Sequence, residues 1–200
     1  MCGIAGYIGK KILPEVNINN CISSMSLRGP DANSFRRFSY GETNYCLLHS
    51  RLSIIDLDQR SNQPFSFENF HIIFNGEIYN YIELRKELIK FGYHFQTNSD
   101  TEVLIKAFHF WGKEMFERLE GMWAFAIYNE KTGDLIISRD RFAEKPLFFF
   151  ESNDGIYFGS EVKNIFTLLD KKLEINYNHI NRYLVNGYKS LYKNKETFYK

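Results

Sequence analysis

The sequence is poor in cysteine, and its three cysteines do not form a metal-binding pattern. Cys2, Cys21 and Cys46 are far apart, and neither a CxxC pair nor an HExxH motif occurs. Metal ligands usually recur at short, fixed spacings, so no metal site is predicted. An odd number of cysteines without a signal peptide fits a reducing compartment, and we expect a cytoplasmic protein.

Long apolar runs and phosphate-binding loops are also missing. No run approaches the roughly 18 apolar residues that cross a bilayer, so no membrane association is predicted. The pairs Gly9-Lys10 and Gly112-Lys113 lack the upstream glycines of a Walker-type loop. A net charge of +1 argues against general nucleic-acid binding. From Lys163 onward, eight Lys/Arg outnumber three Asp/Glu. We interpret this basic end as a solvated linker rather than a polyanion site.

A cysteine directly after the initiator methionine is the most informative feature that is present. Removal of Met1 would leave Cys2 with both a thiol and a free α-amine. That amine has an ordinary pKa of roughly 7.7–8.0, so one residue would supply a nucleophile and its base. The apolar, glycine-rich stretch 3–9 after it reads as a buried strand. The alternative is an ordinary first strand with an incidental cysteine.

Hydrophobic periodicity predicts strands, then two helices, then strands and a helical end. Amphipathic helices are expected over 79–91 and 101–111, with Ser99 or Asp100 as the N-cap of the second. The remaining predicted elements are strands at 3–9, 34–40, 45–50, 70–74, 121–128, 134–138, 146–151 and 155–159, and helices at 15–27, 161–169 and 177–186. This order predicts an α+β domain with two stacked antiparallel sheets flanked by helices.

Together with Cys2, three separate stretches carry polar groups that suit an amino acid. Arg51 offers a bidentate fork for a carboxylate. Asn75 and the Gly76 N–H can donate to an oxyanion. Glu77 and Asp100 can bind an ammonium group. Each has a simpler alternative: a surface ion pair for Arg51, a hairpin turn for Asn75-Gly76, a helix-start charge for Glu77, and only an N-cap for Asp100.

The order of several short motifs resembles the N-terminal glutaminase domain of the class II glutamine amidotransferases, most closely that of glutamine-hydrolysing asparagine synthetase. The resemblance covers residues 1 to about 166. The matching blocks are MCGIAG (1–6), RGPD (28–31), HSRLSIID (49–56), NGEIY (75–79), SDTE (99–102), GMWAFAIY (121–128) and SRDRFAEKPL (138–147). Any one block is weak, but seven in family order, opening with Cys2, are specific.

The resemblance implies an N-terminal-nucleophile (Ntn) fold, a four-layer αββα sandwich over 1–166. Cys2 would attack the glutamine side-chain amide, and Asn75 and Gly76 would hold the oxyanion. Arg51 would bind the α-carboxylate, and Glu77 and Asp100 the α-amine. The backbone of four further residues would line the pocket: Leu52, Ser53, Ile54 and Ile55.

Residues 167–200 would begin a linker toward a C-terminal synthetase domain that this sequence does not contain. The resemblance implies that the ammonia feeds ATP-dependent asparagine synthesis from aspartate in that domain. ATP and Mg²⁺ are expected only there, and the glutaminase domain is expected to need no cofactor. A homodimer is also open. The alternatives are another ammonia acceptor, such as a polysaccharide or secondary metabolite, or a silent assembly domain, which retention of Met1 would favour. Ala143 stands where the family usually has glycine.

Overall fold

The structure is a computed structural model that describes residues 1–187 and 197–199. The chain divides into two compact units, Met1–Leu169 and Asp170–Lys200. Within the described residues, no helix is both long and apolar enough to cross a membrane. Each unit is described by itself.

Two antiparallel sheets form the centre of the first unit. One sheet has the strand order β2-β3-β1-β9-β8, and the other has the order β4-β5-β6-β7. The strands are β1 (Gly3–Gly9), β2 (Ala32–Tyr40), β3 (Thr43–Arg51), β4 (Phe65–Phe67), β5 (Phe70–Ile78), β6 (Gly121–Asn129), β7 (Leu135–Arg139), β8 (Phe148–Ser152) and β9 (Gly155–Gly159). The helices of this unit are α1 (Glu15–Met25), α2 (Tyr81–Lys90), α3 (Asp100–Trp111) and α4 (Val162–Leu169), with 3-10 turns at Gln59–Ser61 and Gly112–Glu117.

Three apolar layers hold the sheets and helices together. Side chains of β1, β3, β5, β6 and β9 fill the space between the sheets. A second layer packs α1 and α4 on the first sheet, and a third packs α2 and α3 on the other. The predicted α+β class and its four-layer αββα arrangement are therefore confirmed.

Alternation along β6 shows why its sequence is continuously apolar. Phe125 and Ile127 pack toward α2 and α3, whereas Ala124, Ala126 and Tyr128 face the other sheet. Successive side chains of a strand point to opposite faces, so a strand covered on both faces is apolar throughout.

The same alternation directs polar residues into one end of the space between the sheets. In β3, Tyr45 and Leu47 face that space, so His49 and Arg51 follow them on the same face. In β5, Ile73 faces it, and Asn75 and Glu77 follow. Strand β5 continues through Asn75-Gly76 to Ile78, beyond its predicted end at residue 74. It pairs with β6 over this whole length, as far as Ile78 opposite Gly121. The hairpin-turn alternative for Asn75-Gly76 is wrong.

Helix α3 begins as the sequence predicts, and Ser99 is its cap. The Ser99 hydroxyl accepts a hydrogen bond from the Thr101 N–H at 3.1 Å, an interaction that typically stabilises a helix by about 1 kcal/mol. Asp100 is thereby free of the capping role. The three-residue strand β4 was not predicted, because so short a segment carries no readable periodicity.

The second unit contains the predicted helix α5 (Tyr177–Asn186). The Asn176 side chain accepts a hydrogen bond from the His179 N–H at 3.1 Å, and Ile175 forms a β-bridge with Tyr199. The linker role of 167–200 stays a prediction, and residues 188–196 and 200 of that segment lie outside the described residues.

Candidate functional site

One cavity of about 170 Å³ brings together nine of the ten predicted site residues. They are Cys2, Arg51, Leu52, Ile54, Ile55, Asn75, Gly76, Glu77 and Asp100. Ser53 is the exception, since its N–H is turned to the Asp31 carboxylate, which accepts it at 2.7 Å. All of these residues belong to the first unit. Four chain segments, each at least 20 positions from the next, therefore converge on one space.

The Cys2 thiol lies beside the end of β3. Its Sγ is 3.4 Å from the Leu52 nitrogen, which donates to it, and 3.6 Å from the Leu52 oxygen. Burial raises the pKa of the thiol above its usual value, and the Leu52 N–H and the Arg51 charge offset this only in part. The thiol is therefore largely protonated at neutral pH, and a base is needed to make it nucleophilic.

The α-nitrogen of Cys2 belongs to the Met1–Cys2 peptide bond in this structure. Met1 lies at the cavity wall, and its Sδ is 3.5 Å from the Lys145 ammonium. Arg28 holds the other side of Cys2, because its Nε donates to the Cys2 carbonyl at 3.1 Å. The sequence places Arg28 in the RGPD block but does not reveal this contact.

Asn75 is almost fully buried, and its Nδ2 has no hydrogen-bond partner among the residues that the structure describes. A buried amide donor without a partner costs about 1–3 kcal/mol, so such a group points to a ligand.

The adjacent Phe74 is fixed from two sides: the Gln63 Oε1 accepts from its N–H at 2.6 Å, and the His49 Nε2 contacts its carbonyl at 3.2 Å. Burial lowers the pKa of His49 to about 3, so His49 is neutral at physiological pH.

Arg51 is buried and, among the residues that the structure describes, forms no ion pair. Its guanidinium donates instead to neutral oxygens: the main-chain oxygens of Asp56 and Asp58, the latter at 2.9 Å, and the Asn62 Oδ1 at 2.8 Å. A buried cation without a carboxylate partner is costly, and an anionic ligand group in the cavity would offset that cost.

Asp100 supplies a buried negative charge to the cavity wall. Its Oδ2 accepts a hydrogen bond from the Ile78 N–H at 3.1 Å. Burial raises the pKa of Asp100 to about 6, and the nearby Glu77 charge adds to the increase. Glu77 itself is exposed at the cavity mouth. Two acids and a guanidinium thus border one cavity, which suits a zwitterion.

Gln63 is a site residue that the sequence did not reveal. Its Nε2 donates to the Thr101 hydroxyl at 3.1 Å, while its Oε1 holds the Phe74 N–H, so one side chain joins α3 to β5 inside the cavity wall. Gln63 lies in a polar loop without periodicity. Only its hydrogen bonds to Phe74 and Thr101, 11 and 38 positions away, identify it as a site residue.

Within the described residues, no group of three or more His, Cys, Asp or Glu side chains could hold a metal ion.

Comparison with known proteins places the chain in a family. A family model described as a glutamine amidotransferase domain matches residues 1–200. Asparagine synthetase [glutamine-hydrolyzing] 1 of Bacillus subtilis is 38% identical over 191 residues, and asparagine synthetase [glutamine-hydrolyzing] 3 of the same organism is 34% identical over 182 residues. These alignments cover 92% and 88% of this chain but only 29% of either relative. The chain therefore spans less than a third of their length.

A solved structure supports the fold independently. The glutamine phosphoribosylpyrophosphate amidotransferase of B. subtilis, complexed with ADP and GMP, matches with a TM-score of 0.70 at 22% identity. The match covers 88% of this chain and 45% of that one. At this identity the likeness concerns the fold alone.

Proposed function

Because this chain belongs to the glutamine amidotransferase domain family, we propose that it hydrolyses glutamine to glutamate and ammonia with Cys2 as the nucleophile. The observation that carries the proposal is the cavity in which the Cys2 thiol, the Asn75 amide, the Arg51 guanidinium and the buried Asp100 carboxylate meet. Within the described residues, the Asn75 Nδ2 has no hydrogen-bond partner and Arg51 forms no ion pair. These groups match the reacting amide and the two charged ends of glutamine.

The chemistry begins with loss of Met1, which frees the α-amine of Cys2. This amine takes the thiol proton as Sγ attacks the side-chain carbonyl carbon of glutamine. The proton then passes to the departing nitrogen, the C–N bond breaks, and ammonia leaves a thioester on Cys2. Water attacks the thioester, with the amine again as base, and releases glutamate and the thiol. The raised pKa of the thiol makes this base necessary.

The negative charge on the carbonyl oxygen is held by Asn75 and Gly76. The Asn75 Nδ2 donates one hydrogen bond and the Gly76 N–H the second. Removing one such donor typically costs about 10²–10³ in kcat, because fixed donors in a dry site need no reorganisation. Gln63 and His49 hold the strand that carries both donors through their contacts with Phe74.

Substrate binding is assigned to the charged side chains that line the cavity. Arg51 binds the α-carboxylate of glutamine, and Glu77 and Asp100 bind its α-ammonium group. The chain at Leu52 and Ile54–Ile55 lines the cavity between them. Ser53 is given no direct contact with glutamine, because its N–H donates to the Asp31 carboxylate. Its role is to fix the conformation of this loop.

For the ammonia we propose delivery to a synthetase domain that makes asparagine from aspartate with ATP and Mg²⁺. This rests on the names of the two B. subtilis relatives and on the 29% of their length that the chain spans. Within this domain, no cofactor is assigned to the glutaminase reaction. A cytoplasmic location and a homodimer stay predictions; fractionation of the source cells and light scattering after gel filtration test them.

The test is glutamate release from glutamine by protein made without an N-terminal tag, with intact mass measured on the same sample. We expect a mass without Met1, glutamate release, and complete loss of release in Cys2→Ala. The matched control is Cys21→Ala, whose buried thiol packs between α1 and the first sheet, and it should still release glutamate. Normal release by Cys2→Ala would refute the mechanism.

A further inference from the structure

The loop between β3 and β4 decides where the Arg51 guanidinium lies. Three oxygens of this loop accept its hydrogen bonds, from Asp56, Asp58 and Asn62. None of the three is a carboxylate oxygen. The position of the cation therefore depends on the conformation of residues 52–62 rather than on a fixed counter-charge.

The Asp56 carboxylate holds this loop against the segment before α3. Only 4% of the Asp56 side chain is exposed. Its Oδ2 accepts the Asn98 N–H at 2.6 Å, and its Oδ1 accepts the Asp58 N–H at 3.1 Å. These bonds lower the pKa of Asp56, chiefly through Asn98, so the carboxylate is ionised at neutral pH and the bonds are charge-assisted.

Asp56 thus contacts Arg51 directly and also contacts the segment that leads into Asp100. Its main-chain oxygen accepts from Arg51, and its side chain binds Asn98, two residues before Asp100. We propose that Asp56 is a positioning residue that fixes the separation between the carboxylate-binding Arg51 and the ammonium-binding Asp100. The inference rests on the proposed function, because it assigns those two ends to one glutamine molecule. A preset separation lets both ends bind without ordering the loop at each encounter.

The backbone of Asp56 allows a clean perturbation. Its φ is 55°, in the left-handed region that glycine adopts freely and that asparagine tolerates. Asp56→Gly removes the carboxylate without a new steric conflict, and Asp56→Asn keeps one acceptor oxygen. The matched control is Asp170→Gly, since Asp170 is an exposed aspartate with a φ of 53°.

The measurement is glutamine affinity by titration calorimetry, with every variant in a Cys2→Ala background so that no turnover occurs. We expect Asp56→Gly to weaken affinity by about tenfold, Asp56→Asn by less, and Asp170→Gly not at all. Melting temperatures show whether each variant folds, and Asp56→Asn serves if the glycine variant does not. Unchanged affinity in a folded Asp56 variant overturns the inference.

A double-mutant cycle separates positioning from general stabilisation. If Asp56 acts through Arg51, then Asp56→Gly should change affinity by less than about twofold once Arg51 is already alanine. An equal effect in both backgrounds overturns the inference. Failure of the proposed function gives a different result. If the Cys2→Ala protein binds glutamine but the parent releases no glutamate, hydrolysis is refuted. The effect of the Asp56 variants on glutamine affinity can still be interpreted in that case.

Discussion

Replacing Asp100 with asparagine removes a buried charge but keeps an oxygen that accepts the Ile78 N–H. In the folded protein the pKa of Asp100 is raised to about 6, against 3.8 as the ordinary value. The folded state therefore holds the proton more tightly than the unfolded chain does. As pH rises between these two values, the unfolded chain loses the proton first, and the parent protein loses stability.

The size of this loss follows from the difference between the two pKa values. At about 1.4 kcal/mol per pH unit, the ionised carboxylate costs the folded parent about 3 kcal/mol above pH 6. Asp100→Asn avoids that cost. It also removes a negative charge from the first turn of α3, which is worth about 0.3–1 kcal/mol at a helix N-terminus. We expect the variant to be about 2 kcal/mol more stable than the parent at pH 7.5.

Urea unfolding at pH 4, 5, 6 and 7.5 checks the prediction. The stability difference should be near zero or slightly negative at pH 4, rise through pH 5 and 6, and level off above pH 7. Asp170→Asn, an exposed aspartate, is the control and should show no such trend. A difference independent of pH would refute the reasoning. The same variant should bind glutamine poorly, because the buried carboxylate that costs stability is also the proposed partner of the substrate's ammonium group.

Three further predictions concern the cavity and its surroundings. Arg51→Ala should raise the KM for glutamine by about 10–100-fold and change kcat little, as steady-state glutamate release will report, because it removes a charged hydrogen-bond donor. Gly76→Ala should lower the free energy of unfolding by about 1–3 kcal/mol in urea, since its Cβ would lie 2.3 Å from the Met122 oxygen. Ala143→Gly should raise the melting temperature slightly, because Ala143 has a φ of 59° and the left-handed conformation costs alanine about 1 kcal/mol; an unchanged or lower value would contradict this.

The sequence by itself identified the reacting groups and the layers that carry them. Cys2 next to the initiator methionine and the amide donor at Asn75 are chemical facts of the chain. The continuously apolar run of β6 and the three-and-four spacing of apolar residues in α3 also depend only on neighbours along the chain. Because such patterns are local, they predict the type of each element without knowledge of the fold.

Only the tertiary structure decided which polar groups share the cavity and what orients them. Ser99 takes the capping role and leaves Asp100 to the cavity, and Ser53 turns away to Asp31. Gln63 and Asp56 act on residues 11 to 42 positions distant. These assignments depend on strand register and on hydrogen bonds between remote segments. Such contacts form only after the chain has closed its long loops, so they leave no periodic trace in the sequence.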